Sequence, residues 1–298
     1  MLTEPLYARM MAGKREGILD DLLPIAIKKY QAGFSRFADC GAGVGKVSTQ
    51  YGALLDAHLE PENRHSASVE CFEPLPENVV VLERVCADHP NLNVRPFAVS
   101  NFSGRASFSV PTRMGNSANP DWPPGTSYDG MLGAHYADTV EVEVVRLDAE
   151  PQYDFVKLDL QGGEMSALEG LGNTIRGVKL IYAENQLLAR EGTVGYLRDK
   201  GFICCFDRLQ FGFAPETSWL ALELLEQLGL KISHMNLPTK GVPFFCLGYF
   251  DVHADPVDEN GQLSDETIRR FKDAGIIYLQ TDILAINAKA AGDLLNFI

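Results

Sequence analysis

The chain has 298 residues, 46% of them hydrophobic, and 26 Lys plus Arg against 40 Asp plus Glu give it a formal charge of −14. That length and apolar content suit one large globular domain or two small ones, with ample residues for a packed core. The acidic excess argues against nucleic acid and anionic membrane surfaces as partners.

No basic stretch near the start leads into an unbroken apolar segment, and no window is apolar for long enough to span a bilayer. A soluble, cytoplasmic protein is the expectation. Six cysteines, at 40, 71, 86, 204, 205 and 246, lack Cys-x-x-Cys spacing and read as reduced packing residues.

Residues 1–35 are expected to form a helical lead-in, because Ile18, Leu22, Leu23, Ile25 and Ile27 recur mostly at helical spacing, with Pro24 a possible kink. From 36 to 298 a single domain is expected. Short apolar runs alternate there with helical stretches: "SRFADCG" then "KVSTQYGALLDAHL", "ASVECFE" then "PENVVVLERVCADH", "LNVRPFAVS", "YDFVKLDL" then "GEMSALEGL", "VKLIYAE" then "TVGYLRDK", and "GFICCF". Apolar, scarcely alternating strands separated by helices predict a doubly wound α/β fold with a mostly parallel sheet covered on both faces.

Two stretches break that rhythm. Residues 111–139, rich in Pro, Gly, Asn and Ser, precede the alternating run "VEVEVVRLD" and are expected to be a lid or substrate-facing loop. Residues from about 213 to 274 are expected to be an insertion, with a helix-like "ETSWLALELLEQLG", an apolar "PFFCLGYF" and a helix capped by Ser264.

The stretch "FADCGAGVG" follows the first predicted strand, where ligands gather beyond the carboxyl ends of a parallel sheet. Gly41, Gly43 and Gly45, with Ala42 between them, let main-chain N–H groups approach a ligand, and the helix starting near Lys46 turns its positive end toward an anionic group. Neither G-x-G-x-x-G nor the Walker pattern is satisfied, since Lys46 stands where the third glycine belongs. Asp39 before the turn, with Glu73 and Pro74 ending the second run, suits S-adenosylmethionine, whose ribose hydroxyls a carboxylate can accept. Glycine-rich first turns also occur in many α/β folds that bind something else or nothing, so those alternatives stay open.

Four ordered blocks then resemble the FkbM-type methyltransferases, class I S-adenosylmethionine enzymes: "FADCGAGVG" is similar to D-V-G-A-N-x-G, "FEPLPEN" to F-E-P-x-P-x-N, "AVSNFSGRASF" to A-V-S-x-x-x-G-x-x-x-F, and "VKLDLQGGEMSALEGL" to K-I-D-x-E-G-x-E-x-x-x-L-x-G. They cover roughly residues 36 to 185. The resemblance implies that Asp39, Gly41, Ala42, Gly43 and Gly45 form the cofactor turn, that Glu73 holds the ribose, and that Ala98 and Val99 lie near the adenine. Lys157, Asp159 and Glu164 match the charged positions of the fourth block. Gly43 departs from the family's asparagine and Gln161 from its glutamate.

The activity so implied is methylation of a hydroxyl on a sugar, glycan precursor or secondary metabolite. N- or C-methylation, and noncatalytic nucleoside binding, are the alternatives. Removing a hydroxyl proton needs a base. Asp159 and Glu184, each ending a predicted strand, and His135 in the long loop are the candidates, with Asp159 also a candidate for direct contact with the cofactor. No Cys/His cluster or H-E-x-x-H points to a metal. "DPVDENGQLSDE" fails as a calcium loop, since Pro256 and Thr267 occupy the first and twelfth positions.

Overall fold

The structure, a computed structural model, describes residues 18–110, 138–186, 192–213, 230–236, 244–250 and 264–297. The chain divides into two compact units: Leu22–Ala183 with Ile286–Ile298, and Met1–Asp21 with Glu184–Ala285.

Helix α1 (Ile18–Tyr30) includes Pro24. It buries Leu19, Leu22, Leu23, Ala26 and Ile27, the i, i+3, i+4, i+7, i+8 stripe of an amphipathic helix. Burial of that face, about 1.5–3 kcal/mol for each large side chain, outweighs the hydrogen bond that proline removes. The helix ends at Gln31, which adopts φ 50°. The Gln31 side chain donates to the Lys28 carbonyl at 2.9 Å and accepts from the Glu60 N–H at 2.9 Å and the Asn63 amide at 3.2 Å. Those bonds hold a non-glycine residue in the left-handed region.

The larger unit then alternates strand and helix: β1 (Arg36–Cys40), α2 (Lys46–His58), β2 (Ser68–Phe72), α3 (Pro76–Cys86) and β3 (Leu92–Arg95). A short 3-10 turn at Pro61–Ser66 takes up the long connection between α2 and β2. After an excursion into a separate sheet come β7 (Phe155–Leu158), α4 (Glu164–Gly170) and β8 (Leu180–Gln186), whose last three residues group with the other unit. The strands lie in the order β8-β7-β1-β2-β3, each neighbouring pair parallel. This is the expected doubly wound α/β sheet. β1 pairs with its successor β2 on one side and with the distant β7 on the other, so the order reverses beside β1.

All four residues of β7 and the last four of β1 are buried, as strands covered on both faces must be. Phe37, Tyr51 and Phe155 meet edge-on with ring centroids 5.1–6.0 Å apart. Such pairs add about 0.5–1.5 kcal/mol each to the burial itself. At the amino ends of the strands, Asp154 accepts the N–H groups of Ser35 and Arg36, both at 3.1 Å, and pairs with Lys179 at 2.9 Å.

The run "LNVRPFAVS" is one element in sequence and two in space. Pro96 has no N–H for a ladder, Phe97 N–H turns back onto the Arg95 carbonyl at 2.8 Å, and the chain leaves the main sheet. β4 (Ala98–Val99), β5 (Gly104–Val110) and β6 (Asp138–Val145) form a separate three-stranded sheet in the order β4-β6-β5, with β6 antiparallel to β5. Most of the expected lid, residues 111–137, lies outside the described residues; 138 and 139 begin β6.

The smaller unit carries α5 (Thr193–Asp199), β9 (Phe202–Phe213), β10 (Leu230–Asn236), β11 (Phe244–Phe250), α6 (Asp265–Asp273) and β12 (Ile276–Asn287). The strand order is β10-β11-β9-β12, antiparallel from β10 to β9. The expected insertion therefore supplies sheet strands, with Phe244–Phe250 of the apolar run forming β11. Ser264 caps α6 as expected, its hydroxyl accepting the Thr267 N–H at 3.1 Å. The helix-like stretch at 216–229 lies outside the described residues. Asp207 on β9 accepts the Ile18 and Leu19 N–H groups at 2.5 and 3.2 Å, capping the start of α1. The chain finishes with α7 (Ala288–Ala291) and a 3-10 turn.

Cys40, Cys71, Cys86, Cys204 and Cys205 are free thiols, the first three buried. Among the described residues no helix is long and apolar enough to cross a membrane.

Candidate active site

The turn between β1 and α2 sits where the strand order reverses, and its three glycines do three different things. Gly41 (φ 84°) passes so close to β7 that an added Cβ would stand 1.9 Å from the Asp159 carbonyl oxygen. Gly45 (φ 89°) caps α2, and a Cβ there would stand 2.8 Å from Leu82 of α3. Gly43 (φ 56°) faces open space, with no atom of the described residues within 4 Å of an added Cβ. Two of the glycines are there for packing, and one leaves room for something else. The bend is tied to the next strand by the Gly41 and Ala42 N–H groups, both donating to the Phe72 carbonyl at 2.9 Å.

Glu73 is 4% exposed and faces this bend. Its Oε2 accepts the Gly43 N–H at 2.9 Å, and Oε1 accepts the Leu75 N–H at 2.9 Å and the Asn78 side-chain amide at 3.3 Å. Burial pushes the Glu73 carboxyl above the ordinary carboxylate range, against the lowering effect of those three donors. Pro74 is half-buried beside it.

Asp39 is fully buried, so the structure places it beneath the turn rather than on its open side. Its Oδ2 accepts the Ser48 hydroxyl at 2.6 Å, and its Oδ1 forms an ion pair with Lys157 Nζ at 3.1 Å. The same ammonium lies 3.3 Å from Oδ2 of Asp159, whose side chain is 40% exposed. Burial alone would lower the Lys157 ammonium, but Asp159 and Asp39 hold it well above the usual lysine range. Lys157 is thus a permanent cation bridging a buried carboxylate and an accessible one.

Beyond Asp159 the loop bends back on itself. The Gln161 amide donates to Asp159 Oδ1 at 2.9 Å, and Gln161 takes φ 55°. Glu164, buried at the start of α4, accepts the Leu160 N–H at 2.5 Å and the Gly162 N–H at 2.9 Å. The three charged matches of the fourth block are therefore in one place, with Lys157 on Asp159 and Glu164 on the loop backbone, and Gln161, which departs from the pattern, also bonds Asp159.

Ala98 and Val99 pair with Val144 and Val145 in the separate sheet. The next residue, Ser100, approaches α4 so closely that a Cβ on Gly170 would lie 2.2 Å from its carbonyl oxygen. Glu184 belongs to the smaller unit, where its buried carboxylate accepts the Gln280 amide. His135 lies outside the described residues. Ser48 and Asn78, which the sequence reading passed over, are the side chains that fix Asp39 and Glu73. Their signal is only positional: Ser48 is in the first turn of α2, and Asn78 is five residues after Glu73 on the first turn of α3. No group of three or more His, Cys, Asp or Glu among the described residues could hold a metal ion.

Residues 39–204, more than half of the chain, match the family described as the methyltransferase FkbM domain. The chain belongs to the FkbM methyltransferase family. Family and fold are those of an S-adenosylmethionine-dependent methyltransferase. Among solved structures, this FkbM-family chain is similar to methyltransferase FkbM from Methylobacillus flagellatus KT at 13% identity and TM-score 0.40, the match covering 83% of this chain and 58% of that one. It is also similar to precorrin-6y C5,15-methyltransferase from Geobacter metallireducens GS-15, at 13% identity and TM-score 0.35, covering 77% and 86% of the two chains. An O-methyltransferase from Bacillus cereus in complex with SAH is similar at 11% identity and TM-score 0.29, covering 83% and 88%. No curated protein matches the chain.

Proposed function

We propose that this FkbM-family protein transfers a methyl group from S-adenosylmethionine to a hydroxyl of a sugar, glycan precursor or secondary metabolite. The observation that carries the cofactor reading is the open space over Gly43, with the Glu73 carboxylate on that residue's own N–H at 2.9 Å. A nucleoside needs a backbone it can approach closely and a carboxylate for its ribose, and these residues fit both needs.

In this reading Gly41, Ala42, Gly43 and Gly45 with Glu73 and Pro74 hold the nucleoside, and Ala98 and Val99 serve the adenine. Asp39 acts from below, through Lys157. An ionised carboxylate offers about four acceptor positions. Three donors already occupy Glu73, which leaves it room for about one ribose hydroxyl. Asp39, Lys157 and Asp159 together carry one net negative charge, which suits the cationic end of the methyl donor.

When bound, the cofactor supplies an electrophilic methyl group on a sulfonium. The protein's part is to hold the acceptor in line with it, an effect worth up to about 7–11 kcal/mol in favourable cases, and to receive the hydroxyl proton. Asp159, the accessible carboxylate of the Lys157 pair, and Glu184 are the residues proposed to receive that proton. Both Asp159 oxygens are already engaged, by Lys157 and Gln161, which favours a second reading in which the acceptor is an amine that needs no strong base.

Calorimetry with S-adenosylmethionine and S-adenosylhomocysteine tests the cofactor reading. Wild-type protein should bind both, and Glu73→Ala should weaken both by about tenfold or more. Failure of the wild type to bind either would overturn it. An Asp159→Asn, Glu184→Gln double variant with undiminished rate on a hydroxyl acceptor would argue against base-assisted O-methylation by these carboxylates.

A further inference from the structure

We propose that Gln161 is a positioning residue that acts through Asp159, and that its amide, in place of the carboxylate usual in the resembling family pattern, is what fixes the accessible carboxylate of the site. The inference rests on the reading of Asp159 as part of the cofactor site.

Three observations bear on it. The first is the donor set. Gln161 Nε2 lies 2.9 Å from Asp159 Oδ1, while Lys157 Nζ lies 3.3 Å from Oδ2, so each oxygen has its own donor. A carboxylate at position 161 could not donate and would set two negative groups side by side. A carboxylate with one donor can rotate about its remaining bond, whereas one with two is held.

The second is the backbone. Gln161 adopts φ 55°, a conformation that costs a non-glycine residue on the order of 1–3 kcal/mol. Gly162 follows at φ 101° with open space beside it. Glycine at 161 would satisfy that geometry more easily, and its absence calls for a use of the side chain.

The third is what holds the strain. Glu164 takes the N–H groups on either side of Gln161, those of Leu160 at 2.5 Å and Gly162 at 2.9 Å. On the other side, the Asp159 N–H donates to the Cys40 carbonyl at 3.0 Å, and the Asp159 carbonyl lies against Gly41 of the cofactor turn. The loop is pinned at both ends, with the strained residue and its amide aimed at Asp159 between them.

A double-mutant cycle read by calorimetry with S-adenosylhomocysteine tests the proposal. Asp159→Asn and Gln161→Gly should each weaken binding by about tenfold, the scale of one charge-assisted hydrogen bond. The double variant should bind no more weakly than Asp159→Asn alone, because Gln161 has nothing left to position. The melting temperature of Gln161→Gly should equal or exceed that of wild type, since glycine relieves the backbone.

Unchanged binding by Gln161→Gly beside a weakened Asp159→Asn overturns the proposal alone. Multiplying losses in the double variant, or a lowered melting temperature with the same binding, also overturn it, by showing a merely structural loop residue. A wild type that does not bind, or an Asp159→Asn variant that binds normally, instead removes the site reading on which the proposal stands.

Discussion

Two loops at the carboxyl ends of neighbouring strands, residues 41–45 after β1 and 159–164 after β7, are held by the same device. In each, a buried glutamate accepts a glycine N–H at 2.9 Å with one oxygen and a second main-chain N–H with the other. The difference is where the glutamate comes from. Glu164 reaches back two and four residues, so its clamp forms with the local turn. Glu73 reaches across 30 residues from the end of β2, so its clamp exists only once β1 and β2 have paired. The local clamp shapes a strained, side-chain-bearing loop, and the distant one steadies a bare bend that leaves Gly43 open.

The contact between the two loops is the most sensitive point of both. Gly41→Ala should cost about 5 kcal/mol or more, enough to unfold a typical domain, because its Cβ would fall 1.9 Å from the Asp159 carbonyl oxygen. Gly43→Ala, with open space around it, should cost only the about 1–2 kcal/mol of a left-handed alanine. Denaturant unfolding of the pair checks this, and equal losses would refute the division of labour among the glycines.

Lys157→Met should cost about 3–5 kcal/mol, since it leaves the fully buried Asp39 carboxylate without its cation. A shorter denaturant midpoint at unchanged slope is the expected readout.

Glu73→Gln and Glu164→Gln should each cost about 1–3 kcal/mol by turning an acceptor into a donor facing an N–H. The Glu73 clamp has a further readout in its dependence on pH. The Glu73 carboxyl is raised, so the native state binds its proton more tightly than the unfolded chain does. The stability contributed by that group is fully present below the unfolded value and is lost as pH rises through the raised folded value. Melting temperatures of wild type and Glu73→Gln, compared from acid to neutral pH, should show wild type losing ground as pH rises through that window. The opposite slope would contradict the burial argument.

The smallest effect is expected at Gly43→Asn, which installs the residue of the resembling family pattern. Asparagine tolerates the left-handed region, so stability should change by only about a few tenths of a kcal/mol. Thermal unfolding alone suffices to measure it.

Much of the fold was legible because parallel strands buried on both faces announce themselves as short apolar runs, and "FADC", "SVECF" and "FVKL" all did so. β12 did not. Its centre, Gln280, Thr281 and Asp282, is polar yet buried, and a polar interruption reads as a break when burial is invisible. The split of "LNVRPFAVS" between two sheets turned on the single missing N–H of Pro96, visible in sequence, and on a strand partner for Ala98 more than forty residues away, which was not. At the candidate site the glycine bend and Glu73 could be found by position. The inward turn of Asp39 toward Lys157 could not, because it depends on β1 and β7 lying side by side.

By itself the sequence determined the alternation of strand and helix, the family, and the location of a bare turn beside acidic residues. These follow from local spacing, the burial pattern of strands, and residue types that only a few backbone conformations accept. Tertiary structure alone decided which glycine faces open space, which carboxylate is enclosed and which accessible, and which donor each oxygen receives. Those outcomes depend on distances between segments far apart in the chain, and only the assembled sheet sets them.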